Sequence, residues 1–127
     1  MPAYDGERFF PPAPVAFVSV RNPINGAVSP SVRMLMDSGA DATMVPQEIV
    51  EGLGIDTSQC RQFEMAGVEG TITLAKAVSL ELVFCGRKFR GDFLLTPNDC
   101  GILGRNVLNR VPLLLDGPRL TWDEVHR

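Results

Sequence analysis

Residues 33 to 47 read RMLMDSGADATMVPQ: an apolar run closes on Asp37, three small residues follow, and a second apolar run begins at Thr43. A carboxylate at a strand end can serve as an acid or a base if the loop behind it keeps it upright and hydrogen-bonded. Ser38, Gly39 and Ala40 suit that task. The serine hydroxyl can bond backbone, the glycine can take positive φ, and the alanine lets another chain come close. The same residues also make an ordinary Asx or Ser turn, and taken alone they favour that plainer explanation.

Other chemistries lack their parts. Cys60, Cys85 and Cys100 form an odd set without CxxC spacing, and the only histidine, His126, lies next to the C-terminus. Neither a zinc site nor a Cys/His nucleophile is expected, and the cysteines read as structural or free thiols. No Walker loop, GxGxxG or GxSxG occurs, so no cofactor is expected. A net charge of −3 with scattered Lys and Arg gives no footprint for nucleic acid. The opening MPAYDGERFFPPAPVAF carries acids and prolines where a signal peptide needs a basic patch and an apolar segment. No later run approaches membrane-span length, so no membrane partner and a soluble, cytoplasmic setting are expected. With 127 residues, 45% of them apolar, the chain reads as one domain over 1–127.

The elements that must position Asp37 are mostly strands. Residues 1–13 hold several prolines and read as an arm before a strand at 14–21. NPINGAVSPS at 22–31 turns the chain into VRMLM at 32–36, which feeds Asp37. After the apolar TMV, Pro46 can open a short helix through PQEIVEGLG, closed near Gly52 or Gly54. Residues 61–84 alternate in polarity on both sides of AGVEG and predict a long hairpin. RKFRGDFLLT at 87–96 adds a strand, PNDCG a turn, GIL an apolar stub, and GRNVLNR at 104–110 a short helix. VPLLLDGPRLTW closes the chain as two strands about an Asp-Gly-Pro turn. Eight or nine strands and two short helices make an all-β class. Strand, loop with Asp and Gly, apolar stub and helix occur twice, in VRMLMDSGADATMVPQEIV and in DFLLTPNDCGILGRNVL, which suggests a weak internal repeat.

LMDSGAD, with GILGRN and Leu108 further on, resembles the two signatures of the retropepsin-like aspartic proteases, over roughly residues 14–122 with a tail at 123–127. That resemblance implies a closed, mostly antiparallel, barrel-like acid-protease fold with one lobe per chain. It implies an aspartic endopeptidase in which two aspartates hold a water, one as general base and one as general acid. Two close carboxylates cannot both ionise cheaply, so such a pair shares a proton and titrates as a unit. One DSGA loop provides one aspartate, so a homodimer that pairs Asp37 with its two-fold mate is implied.

By the same resemblance, Ser38, Gly39 and Ala40 support the loop: Ser38 would bond across the two-fold axis, and Gly39 would offer a carbonyl to a peptide substrate. Asp41 and Arg105 would pair within one subunit and brace the loop. Met65, Ala66, Gly67, Val68, Glu69 and Gly70 fall where the family has its flap, and Ile102, Leu103 and Gly104 where it has a second wall. Asp92, Asp99 and Asp116 read as turn, capping or strand-end residues. Trp122 and Leu120 pack either across the dimer interface or onto the core. A catalytically silent dimerisation or peptide-binding domain of the same fold is the alternative, and an unrelated small β-barrel with a fortuitous DSGA is a third reading.

Overall fold

The computed structural model describes residues 1–66 and 70–126. Alternation in the sequence is realised directly. Strand β2 (Ala13–Arg21) turns Ala16, Val18 and Val20 inward, and β3 (Val28–Met36) does the same with Val32, Met34 and Met36. Strand β1 (Tyr4–Asp5) lies inside the predicted arm and pairs with β2, so the arm is partly sheet. Two residues are too short for a period to register in sequence.

After the DSGA loop come β4 (Met44–Pro46) and helix α1 (Gln47–Gly52). Pro46 ends the strand and caps the helix from outside rather than opening it. Strands β5 (Arg61–Ala66) and β6 (Ile72–Phe84) form the long hairpin. Gly70, with φ of +78°, suits its turn, whereas the predicted tip residues Gly67, Val68 and Glu69 lie outside the described residues. The outer part of β6 is exposed at Ile72 and Leu74 while Leu80, Leu82 and Phe84 are buried, so the hairpin is rooted in the core and projects from it. Strand β7 (Arg87–Thr96), β8 (Gly101–Leu103) and helix α2 (Arg105–Leu108) follow, and β9 (Leu113–Asp116) and β10 (Thr121–Glu124) close the chain.

Eight strands form one sheet in the order β1-β2-β3-β8-β4-β7-β6-β5, and β2 also pairs with β6. A register shift between Val18 and Val20 marks a bulge in β2 where it begins to pair with β6 through Ser19, Val20 and Arg21. Such a bulge sharpens local twist and lets the strand bend. The result is barrel-like rather than fully closed. At its centre lie Val18, Val20, Met34, Val45, Leu80, Leu82, Leu103 and Val107.

The repeat has a structural meaning. Strand β3 runs parallel to β8, with Met34 opposite Gly101 and Met36 opposite Leu103. Strand β7 runs parallel to β4, with Leu94 opposite Met44 and Thr96 opposite Pro46. The two stubs meet antiparallel at Met44 and Ile102. Each long strand therefore holds the stub of the other half, which locks the two loops back to back. Trp122 caps the core: it is buried, its Nε1 donates to the Val15 carbonyl at 2.9 Å, and its ring lies 5.9 Å from that of Phe84. Among the described residues, no helix is long and apolar enough to cross a membrane.

Candidate active site

Asp37 follows directly on β3, where its backbone N–H donates to the Leu103 carbonyl at 3.0 Å across the β3–β8 pair. Its carboxylate Oδ1 accepts from the Gly39 N–H at 2.9 Å, and its carbonyl accepts from the Ala40 N–H at 3.1 Å. The side chain is half-buried, and Oδ2 takes no hydrogen bond from the described residues. One oxygen is thus anchored and the other left available to chemistry. Gly39 does not adopt the positive φ expected of it. Its small size matters instead, because a Cβ there would stand 3.1 Å from Asp37 Oδ1.

The second signature braces this loop through the backbone. The Arg105 N–H donates to the Ala40 carbonyl at 2.8 Å, and Arg105 Nη1 donates to the Ser38 carbonyl at 2.8 Å. The predicted Asp41–Arg105 ion pair does not form. Asp41 is exposed where the loop leaves for β4, and the guanidinium is spent on the carbonyl of Ser38. Gly104 packs so tightly that a Cβ would lie 2.5 Å from the Ala42 oxygen. Leu103 is a core residue, while Ile102 is half-buried on the central stub.

Thr43 is the residue that motif reading missed. It is 1% exposed, its Oγ1 donates to Asn106 Oδ1 at 2.7 Å, and the same oxygen accepts from the Gly104 N–H at 3.0 Å. A lone threonine ahead of an apolar stub was the available signal, together with the asparagine of GRN. We expect Thr43→Val, close to isosteric, to leave the Gly104 N–H and Asn106 without this partner and to cost about 1–3 kcal/mol in chemical denaturation.

Beside the loop opens a groove of about 420 Å³, lined by Asp41 and Ala42, by Phe63, Met65 and Ala66 of the projecting hairpin, and by Leu94 of β7. The predicted hairpin residues Met65 and Ala66 thus share one hollow with Asp41 and Ala42, the two residues that follow DSGA. A larger hollow of about 530 Å³ lies between the N-terminal arm, β2 and Trp122. Its single acid, Asp5, is occupied by the N–H groups of Glu7 and Arg8, and burial pushes its thiol, Cys85, up to about 11. That hollow has no acid–base pair. The other acids read from the sequence are engaged: Asp99 pairs with Arg8 at 2.8 Å, Asp92, which with Glu64 also lines the 420 Å³ groove, accepts from Ser79 at 2.8 Å, and Asp116 accepts from the Arg119 N–H in the last turn.

A strand-end aspartate on a small-residue loop, clamped by the stub and helix of a second half-repeat, is the arrangement of an aspartic-protease lobe. Residues 20–110 match the family described as "gag-polyprotein putative aspartyl protease", and the chain belongs to that retropepsin-like aspartic protease family. Among solved structures it is similar in fold to the EIAV protease complexed with the inhibitor HBY-793. The TM-score is 0.54 at 19% identity, over 77% of this chain and 86% of that one.

Proposed function

We propose that the chain is an aspartic endopeptidase that cleaves extended polypeptides as a homodimer, with Asp37 from each copy forming the catalytic pair. The observation that carries this is the clamped Asp37 carboxylate, one oxygen anchored to Gly39, on a segment whose next residues, Asp41 and Ala42, line a groove together with a projecting hairpin. Among the described residues, the second half-repeat offers no carboxylate at the place that matches Asp37. Met36 and Thr96 are equivalent in the two half-repeats, since each ends the run paired with the opposite stub, and the next residue is Asp37 in one and Pro97 in the other. A proline can neither give nor take the proton, so the mate comes from another copy.

In that dimer one carboxylate is ionised and draws a proton from the bound water, and the other is protonated and polarises the scissile carbonyl. The Ser38 hydroxyl bonds the partner's loop across the axis, and the Gly39 carbonyl accepts from the peptide backbone. The β5–β6 hairpin, with Met65 to Gly70 at its end, acts as a flap that closes over an extended peptide held by strand addition and excludes water. No cofactor takes part.

Cleavage of a mixed peptide library between acid and neutral pH tests this. We expect a bell-shaped rate with its maximum at mildly acidic pH, because the pair works only with one proton shared between two carboxylates. A rate that rises steadily into alkaline pH contradicts the mechanism. No cleavage by a protein that is dimeric in the same buffer supports a silent peptide-binding domain instead.

A further inference from the structure

Strand β7 has one open edge along most of its length. Arg87 to Leu94 pair with β6 on one side, while β4 reaches only Leu94, Leu95 and Thr96 on the other. Alternate residues of a strand turn their N–H and C=O groups to opposite sides. Among the described residues, nothing bonds the groups that Arg87 to Asp92 turn away from β6. A notch of about 410 Å³ lies along this edge, with Asn106 and Val107 of helix α2 and Arg110 just beyond it as the far wall. Its charge is mostly of one sign. Lys88, Arg90 and Arg110 line it, all three exposed, and among the described residues neither Lys88 nor Arg110 has an ion pair. Arg90 gives its Nε to Glu81, yet its side chain is 73% exposed while the carboxylate it meets is buried. The acid of the lining, Asp92, accepts from the Ser79 hydroxyl.

We infer that this edge is the docking site for a partner protein that offers an extended acidic segment, added to β7 as a further strand. Backbone bonds supply the affinity of such an addition, and side chains its selectivity. Charges on an open edge normally keep strands away. Here they are mostly cationic, so a basic strand is repelled and an acidic one is drawn in. Lys88 and Arg90 lie opposite Val83 and Glu81 and stand on one face of β7. An added strand meets that face with every second side chain, so acids at alternate positions match the spacing. A second copy fits less well, because it brings the same net positive edge. The chain's most closely spaced acids, at 5 and 7 and at 123 and 124, are also committed elsewhere. Asp5 accepts from the Glu7 and Arg8 N–H groups within the arm, and Glu124 pairs with Arg87 from its place in β10. The inference does not depend on whether Asp37 cleaves peptide.

A fluorescent peptide of alternating glutamate and valine tests this, with lysine in place of glutamate as the control. Every protein in the series carries Asp37→Asn so that no probe is cut. We expect the glutamate peptide to bind in fluorescence anisotropy, the lysine peptide not to bind, and added salt to weaken the complex. Lys88→Glu combined with Arg110→Glu should weaken glutamate-peptide binding roughly tenfold or more, because two attractive contacts become repulsive. The same double variant should take up the lysine peptide instead, a reversal that an unfolded protein would not give. Amide hydrogen exchange between residues 87 and 92 should slow when the glutamate peptide is bound. Equal binding of the two peptides, or undiminished glutamate-peptide binding by the double variant, overturns the inference. So does protection that falls on β5, which would put the peptide in the hairpin groove. A double variant that sediments as monomer where its parent is dimer would assign the edge to a second copy and overturn it as well.

Discussion

Asp37→Asn will leave the fold intact and remove peptide cleavage. The asparagine Oδ1 can accept the Gly39 N–H as the carboxylate does, and the loop's other bonds run through backbone, so the shape is preserved. What disappears is the proton exchanged with water and substrate. Acid–base participation of this kind is worth about 10²–10⁴-fold, so turnover should fall by at least that much. The thermal midpoint should stay within about 2 °C of wild type, which corresponds to well under 1 kcal/mol for a chain of this size. Equal cleavage by variant and wild type would mean that Asp37 is not the catalyst.

Gly104→Ala should be among the most damaging small substitutions outside the carboxylate. The added Cβ would lie 2.5 Å from the Ala42 oxygen, 2.6 Å from the Ala42 carbon and 3.0 Å from the Ala40 oxygen. All three are backbone atoms, so no rotamer change relieves the clash. Relief means parting the DSGA loop from the start of α2, which strains the Gly104–Thr43 and Arg105–Ala40 hydrogen bonds together. Overpacking of this kind costs about 3 kcal/mol. Cleavage should fall even at temperatures where the variant remains folded, because the loop that holds Asp37 has moved. Gly52→Ala is the matched control. A Cβ there meets nothing within 4 Å at the end of α1, so its stability should hold or rise by up to about 1 kcal/mol. Denaturation and peptide turnover on the pair separate the clash from loss of glycine as such.

Much of this site was legible because its parts are local. Asp37 to Ala40 announce themselves as a loop behind an apolar strand, and GILGRN as a stub leading into a helix. The twofold occurrence of that pattern was visible too, but its meaning was not. That each long strand holds the stub of the other half depends on parallel pairing between residues such as Met34 and Gly101, far apart in sequence. Thr43 escaped notice for the same reason: its importance comes from Asn106 and Gly104, which only the fold brings to it. The Asp41–Arg105 pair failed because residue types cannot tell whether a guanidinium will meet a carboxylate or a nearer carbonyl, here that of Ser38. The positive φ that a glycine allows is not used at Gly39; a Cβ there would instead crowd Asp37 Oδ1 at 3.1 Å, a contact that only the fold reveals. Strand β1 hid in a proline-rich arm, held by its bridges to Pro14 and Ala13 and by the Tyr4 N–H bonded to Leu120.

The central claim is that each active site takes one aspartate from each of two chains, and mixing wild type with Asp37→Asn tests it most directly. The two proteins are combined in varied ratio at constant total concentration, allowed to exchange subunits, and assayed for peptide cleavage. If the pair is shared, activity follows the square of the wild-type fraction, and an equal mixture retains roughly one quarter of the full rate. Activity that falls in simple proportion, to about one half in the equal mixture, would mean that each chain carries a complete site and would contradict the shared pair.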